Sequence, residues 1–360
     1  MRPLNLGIVG ATGVVGQTAL DILGDDSLAL PIKSVRAFAS SASVGKRLSW
    51  GQKSVTVEAT EAEALSQCDA VLFASEAEIS RRFIPALVER GILCVDKSSA
   101  FRDDPSVPLL VPEVNGALLK KETIRQKTLV ANPNCCTTPL VMVLDVIRQH
   151  FGLKRVIVST YQSVSGAGKP GLEVLEEESR QFFQAQDLSV RSSRAFPKSI
   201  AFNVMPFVAR ILENGDTDEE SKIIFETRKI LGMPSLPVEA TSVRVPTFVG
   251  HAESVTIETE KPVDLALLEK QISSAPGLSL IANVNPAQAQ TEPDEDGGIS
   301  FFPTPREVQG RNEVLVGRLR PAKVFANGVS LWLVSDNLRK GAALNALQVV
   351  ESCAREGLFS

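Results

Sequence analysis

Three groups of residues in this 360-residue chain have the types and spacing to do chemistry. The first is a glycine run, Gly10, Gly13 and Gly16, in GATGVVG. Residues 4–9 before it read as a strand and 17–23 after it as a helix. In that context the glycines let backbone approach a pyrophosphate, and the helix start offers unpaired N–H groups to its oxygens. Out of that context the same spacing is a plain tight turn. The second group is Asn132-Pro133-Asn134-Cys135-Cys136-Thr137-Thr138, between a predicted strand and a predicted helix. Partial positive charge at a helix N-terminus lowers a thiol pKa and favours the thiolate, so Cys135 is a candidate nucleophile. A buried structural pair or a redox pair are the other readings of adjacent cysteines. No CxxC or Cys/His cluster supports a metal, and none is expected. The third group is the histidines, of which there are only two, His150 and His251. His150 falls at the end of a predicted helix, where the charge is a favourable cap. His251 follows Gly250 between two strand-like runs, which makes it the better candidate base. Arg102, Lys222 and Arg244 are candidate anion binders; each alone reads as a surface charge, and together they suit an acidic, phosphorylated substrate.

These residues need elements to hold them. Predicted strands at 4–9, 32–38, 70–74, 92–95 and 128–131 alternate with helices at 17–23 and 80–90, the pattern of a doubly wound α/β domain. The second strand is followed by Ala39, Ser40, Ser41, Ala42 and Ser43, then Lys46, with no acid to hold a ribose 2′-hydroxyl. Hydroxyls such as Ser40 and Ser43 tolerate a 2′-phosphate, which favours NADP. A solvated Ser/Gly loop is the alternative. After Pro133, predicted helices at 138–150, 173–186 and 219–230 are grouped with strands at 155–162, 242–248, 253–259, 313–319 and 330–335. That grouping indicates an α+β second domain on a mostly antiparallel sheet. A last helix over 337–356 is expected to return to the first domain, and 286–299 reads as a polar loop. The fold class is therefore α/β: an N-terminal Rossmann-like dinucleotide-binding domain (1–132 with 337–360) and an α+β catalytic and dimerisation domain (133–336).

Composition agrees. At ~150 residues per domain the length gives two domains. With 44% hydrophobic and 22% charged residues the chain can bury a large core. Thirty-eight basic against 42 acidic side chains give a net charge of −4, which argues against a broad nucleic-acid-binding face. No apolar run reaches the ~20 residues of a membrane span. Five cysteines without paired spacing indicate a reducing, cytoplasmic compartment.

Taken together the motifs resemble the aspartate-β-semialdehyde dehydrogenase family. GATGVVG, DKSSAFRDDPSVPLLVPEVN, NPNCCTTP, STYQSVSGAGKPG, FNVMP, ENGDTDEESK, SVRVPTFVGHAESV, PTP and WLVSDNLRKGAALNA follow that family's order. The resemblance implies a two-domain homodimer or homotetramer that reduces L-β-aspartyl phosphate with NADPH to aspartate semialdehyde, releasing phosphate, on the route to lysine, methionine and threonine. It implies Cys135 as nucleophile, His251 as acid/base and Gln162 as the residue that orients the acyl group. It implies Arg244 on the substrate carboxylate, Glu219 on its amino group, and Arg102 and Lys222 at the phosphate, with Asn134 also lining the substrate site. It places Gly10, Thr12, Gly13 and Val14 at the nucleotide loop, and Ser165, Gly166 and Asn337 near the nicotinamide. Three positions depart from the family pattern. Ala42 stands where Arg is frequent, which leaves NAD as a weaker alternative cofactor. Lys97 stands where many members have Asn, and Cys136 where Ser is usual. The rival readings are an N-acetylglutamyl-phosphate reductase, whose cysteine motif has Gly where Asn134 stands; a glyceraldehyde-phosphate type dehydrogenase; and a catalytically dead paralogue, which would typically have lost Cys135 or His251.

Overall fold

A computed structural model describes residues 2–25, 28–119, 128–185, 192–281 and 302–359. The expected polar loop at 286–299 lies outside them. The chain forms two compact units, Met1–Asn134 with Gly341–Ser360, and Cys135–Lys340. From sequence the cuts fall at 132/133 and 336/337; the observed change-overs are at 134/135 and 340/341.

In the first unit β1 (Leu4–Val9), β2 (Ile32–Ala39), β3 (Arg47–Trp50), β4 (Lys53–Ala59), β5 (Ala70–Phe73), β6 (Leu93–Asp96) and β7 (Leu129–Ala131) form a sheet in the order β3-β4-β2-β1-β5-β6-β7. All pairings are parallel except the β3–β4 hairpin, which sequence periodicity did not reveal. Central strands bury both faces, which explains their continuous apolar runs. Strand order reverses between β1 and β5, and ligand crevices in such sheets open at that point. The glycine turn sits there, between β1 and helix α1 (Val14–Gly24). Gly10 has φ +79°, and a Cβ on it would lie 2.5 Å from the Ala74 carbonyl oxygen at the end of β5, so only glycine fits. Helix α2 (Ala77–Glu89) packs against β6. The C-terminal helix, Leu344–Arg355, buries its apolar face on this unit, and Asn345 Nδ2 donates to Leu110 O and Asn132 Oδ1 at 2.9 and 2.8 Å. It is shorter than the expected 337–356. Asp336 Oδ1 accepts the N–H groups of Leu338 and Arg339, and a π-helical turn at Arg339–Ala343 precedes the α-helix.

In the second unit β8 (Arg155–Gln162), β9 (Val238–Arg244), β10 (His251–Glu258), β11 (Leu278–Leu280), β12 (Val314–Pro321) and β13 (Gly328–Ser335) form a mixed sheet, ordered β11-β12-β13-β10-β8-β9. The β10 pairings with β8 and β13 and the β12–β13 pairing are antiparallel; the two outer pairings are parallel. Its helices are α3 (Thr137–Phe151), α4 (Gly168–Ala185), α5 (Asp218–Leu231) and α6 (Leu265–Ser274). Helix α3 packs on α5, α6 and β13. The strand expected at 242–248 is displaced: β9 starts at Val238 and stops at Arg244. Pro246, which has no N–H to donate, follows that end, so 245–250 is loop. Conversely β10 begins two residues before the expected 253, which makes His251 a strand residue.

Candidate active site

Period-two alternation puts Thr160 and Gln162 of β8, Ser242 and Arg244 of β9, and His251 and Glu253 of β10 on one sheet face. Pairing aligns Gln162 with Arg244, and Ala252 with Tyr161, so His251 falls beside Gln162 in the same row. Cys135 enters this unit just ahead of α3, of which Cys136 is the N-cap residue. Cys135, Cys136 and His251 bring their sulfur and ring nitrogen atoms within 4.8 Å of one another.

The histidine ring is held by a residue not singled out from sequence. Ser163 N–H donates to His251 Nδ1 at 3.0 Å, and Ser163 Oγ lies 3.0 Å from the same nitrogen. An amide N–H can only donate, so Nδ1 is the acceptor and the proton of the neutral ring sits on Nε2. Nε2 has no hydrogen-bond partner among the described residues, although the ring is fully buried. The same tautomer argues against a metal at the Cys135–Cys136–His251 cluster. A metal-bound histidine donates through its second nitrogen, whereas here that nitrogen accepts.

Ser165 and Asn337 extend the support. Asn337 Oδ1 accepts from Gly250 N–H at 2.9 Å and from Ser163 and Ser165 hydroxyls at 3.2 Å, and its Nδ2 donates to Ser165 Oγ at 3.0 Å. Asn337 thus fixes the loop that delivers His251. Gly166 lets Arg244 and His251 close in: a Cβ there would lie 2.8 Å from Arg244 Nη1 and 3.4 Å from His251 Nε2.

Arg244 is buried, and its Nη1 donates to Ser163 O at 2.7 Å. Burial pulls its guanidinium below its ordinary value, and Glu219 and Cys135 oppose that shift; an arginine stays charged throughout. Glu219 is set by a capping box at the start of α5. Thr217 N–H donates to Glu220 Oε2 at 2.6 Å, Glu220 N–H donates to Thr217 Oγ1 at 3.3 Å, and Glu220 Oε1 also accepts from Ser242 of β9. Gln162 Nε2 donates to Glu219 Oε1 at 3.3 Å and to Thr160 Oγ1 at 3.1 Å. Lys222, one turn on, is half-buried with its ammonium 3.9 Å from Asp218.

In the first unit, Asn134 and Arg102 are buried. Arg102 is presented by the turn after β6, where Asp96 accepts from Ser80 Oγ, Ser98 N–H and Ser98 Oγ, and Arg102 Nη2 donates to Lys97 O at 2.6 Å. Thr12, Gly13 and Val14 form the turn into α1. Gly13 is its N-cap, without a side-chain cap, and both Gly10 and Ala11 N–H groups bond to Phe38 O at the end of β2. The narrow cradle that glycine alone can line fits a dinucleotide pyrophosphate. Beyond β2, Ser40, Ser41 and Ala42 are exposed while Ser43 is buried, so Ser40 and Ser41 are the hydroxyls that face outward there.

Two thiol and carboxyl environments differ from what sequence offered. Burial, then the hydrogen bond to Cys135 and the nearby Glu253 and Glu219, push the Cys136 thiol well above its usual range. That leaves Cys135, partly exposed at the helix N-terminus, as the thiol placed to ionise. Glu253, unremarked in the sequence, is fully buried with neither oxygen hydrogen-bonded among the described residues. Burial, and secondarily Cys135, raise its pKa well above that of an ordinary carboxylic acid. A raised folded-state value means that stability is complete below the unfolded pKa and is lost as pH climbs toward the folded one. Chemical denaturation of wild type and Glu253→Gln across pH 4–9 should therefore diverge, wild type falling by up to about 1.4 kcal/mol more per pH unit in that window. Parallel profiles would mean that Glu253 is not held neutral.

A glycine-lined turn at the switch point of a parallel sheet, with a helix-terminal cysteine beside a histidine in the second unit, defines the class of thiol-dependent nicotinamide dehydrogenases. Comparison with known proteins narrows the class. Residues 5–122 match the semialdehyde dehydrogenase NAD binding domain, and residues 144–340 the semialdehyde dehydrogenase dimerisation domain. The chain is 39% identical to the aspartate-semialdehyde dehydrogenase of Aquifex aeolicus over 98% of both chains, and 38% identical to that of Rickettsia bellii over 97% of both. It superposes, with TM-score 0.89 and 36% identity over 99% of both chains, on the crystal structure of aspartate semialdehyde dehydrogenase II complexed with ASA from Vibrio cholerae. The chain belongs to the aspartate-semialdehyde dehydrogenase family.

Proposed function

We propose that this enzyme reduces L-β-aspartyl phosphate to L-aspartate 4-semialdehyde, with release of phosphate, in the biosynthesis of lysine, methionine and threonine. The observation that carries this is the single row of Arg244, Gln162 and His251 with Cys135 against it. Cys135 thiolate attacks the acyl carbon, the bond to the phosphate oxygen breaks, and a thioester remains. A bound nicotinamide cofactor supplies the hydride that reduces the acyl group. His251, as the acid/base, shares its Nε2 proton with the oxygen that becomes negative and recovers it as the C–S bond breaks, which releases the aldehyde and the Cys135 thiolate. Gln162 is positioned to orient the acyl oxygen. Arg244 pairs with the α-carboxylate, and Glu219 with the ammonium group. Arg102 and Lys222 receive the phosphate, with Asn134 at the substrate side. A buried cation and a buried anion around one pocket select an amino acid that carries both charges, which favours aspartate over an N-acylated substrate whose amine is blocked.

Gly10, Thr12, Gly13 and Val14 would hold the pyrophosphate, Ser40 the ribose side with Ser41 in place of the buried Ser43 expected from sequence, and Ser165, Gly166 and Asn337 the nicotinamide end. The absence of an acid after β2 supports NADP; Ala42, where a basic residue would grip the 2′-phosphate, makes the preference modest. A homodimer or homotetramer in the cytoplasm completes the proposal; no helix among the described residues is long and apolar enough to cross a membrane. The test is phosphate-dependent reduction of NADP with aspartate semialdehyde, set against N-acetylglutamate semialdehyde and against NAD. Expected is turnover with aspartate semialdehyde, a kcat/KM for NADP above that for NAD, and a wider gap in Ala42→Arg. Preference for the acetylated substrate would overturn the substrate assignment, and equal cofactor values the NADP assignment.

A further inference from the structure

We propose that Cys136 is a positioning residue for the nucleophile: its buried thiol donates a hydrogen bond to the Cys135 sulfur and holds that sulfur, as the thiolate, at the N-terminus of α3. The two side chains are neighbours in sequence but not in environment. Cys136 is fully buried at the N-cap of α3, whereas Cys135 is partly exposed. Their sulfurs lie in one cluster with His251, within 4.8 Å, and the two thiols are hydrogen-bonded to each other.

The direction of that bond follows from the surroundings. Cys136 has no water to stabilise a charge, and Glu253 and Glu219 add negative potential beside it. Its proton therefore stays on, and it can act only as donor toward a charged partner. Cys135 meets the opposite field at the helix start. A thiol is a weak donor to a neutral acceptor, but a bond to a charged acceptor is roughly twice as strong. His251 cannot replace it in the resting enzyme without committing the Nε2–H that the oxyanion needs. The arrangement thus divides two tasks: Cys136 steadies the thiolate, and His251 keeps its proton for the substrate. A hydroxyl at position 136 would serve equally, and a methyl would not.

The inference rests on Cys135 being the nucleophile, so its test reads the thiol itself, without substrate. Alkylation of Cys135 by iodoacetamide is followed against pH by peptide mass in wild type, Cys136→Ser and Cys136→Ala. Losing the donor should raise the midpoint of Cys136→Ala by about half to one pH unit, slowing alkylation at neutral pH some three- to tenfold. Cys136→Ser should stay within about twofold of wild type. A Cys136→Ala midpoint equal to wild type would overturn the proposal, as would an equal loss in Cys136→Ser, which marks a packing role. Should Cys136→Ala fail to fold, the wild-type S–H stretching band of Cys136, identified by its loss in Cys136→Ser, decides. It must shift to higher frequency once Cys135 is alkylated, and an unmoved band refutes the bond. Failure of the nucleophile assignment looks different: Cys135→Ser would then turn over normally whatever the alkylation profile.

Discussion

Cys135→Ser is expected to abolish turnover, lowering kcat on the order of 10⁴-fold or more in the phosphate-dependent assay. The chemistry asks for an anionic nucleophile that forms an acyl bond and then leaves. A serine hydroxyl has a far higher pKa than a thiol, so the helix N-terminus that favours thiolate cannot supply an alkoxide at neutral pH. His251 cannot rescue it as general base, because Nδ1 is occupied by the Ser163 amide and Nε2 already carries the proton. The substitution removes no buried contact of size, so the melting temperature and cofactor affinity should match wild type. Cys136→Ser, which keeps a donor at 136, should retain most activity. The reverse pattern, a dead Cys136→Ser beside an active Cys135→Ser, would transfer the role to the wrong thiol and break the assignment.

The second large effect separates anchoring from proton transfer. His251→Ala should lower kcat by on the order of 10²–10⁴-fold with a smaller change in KM, the loss expected for a general acid/base. Arg244→Lys should act on binding instead. Its guanidinium already donates to Ser163 O and interacts electrostatically with Glu219, and a lysine can reproduce neither the fork nor the second bond to a carboxylate. KM for aspartate semialdehyde should rise on the order of 10²-fold, the scale of a lost buried charge pairing, while Cys135 stays reactive toward a small thiol reagent. Both residues touch the Ser163 segment, so each variant must first unfold at the wild-type temperature. His150→Ala is the internal control: that ring lies beside Phe151 at the far end of α3, and its loss should be nearly silent. A folded His251→Ala enzyme with near-normal kcat, or an Arg244→Lys enzyme with unchanged KM, would remove the respective role.

How far these roles could be read from residues alone varied with the range of the interaction. The glycine turn was legible because its cause is local: a strand must reverse into a helix within a few residues, and Gly10 abuts the Ala74 carbonyl. Cys135 was legible for a similar reason, since a strand, Pro133 and a helix follow one another in sequence. His251 stood out through scarcity and a neighbouring glycine. The ends of β9 and β10 were not legible. Val245 to Phe248 look strand-like, yet Pro246 ends the ladder, whose last bond is Val245 N–H to the carbonyl of Gln162, the final residue of β8. Helix α6 and the β3–β4 hairpin were missed because each is short and is packed by elements far along the chain, α3 and β12 for α6 and α1 for β3.

The sequence by itself determined the class of chemistry and the elements that bear it: a glycine turn between a strand and a helix, a helix-terminal thiol, a histidine between two strands and a set of charges suited to an acidic substrate. These are properties of residue type and of spacing within ten or so positions. Only the tertiary structure decided which of them meet. Register between β8 and β9 aligns Gln162 with Arg244, and register between β8 and β10 brings His251 into the same row; a slip of one residue would turn each to the opposite face. Burial likewise lay outside the sequence's reach. It made Ser163 the residue that fixes the histidine tautomer, pushed the Glu253 carboxyl up, and put two adjacent cysteines in different surroundings, one fully buried and one partly exposed. Charge states in a site depend on how much water is left around each group and on which dipoles point at it, and both are set by contacts among residues far apart in the chain.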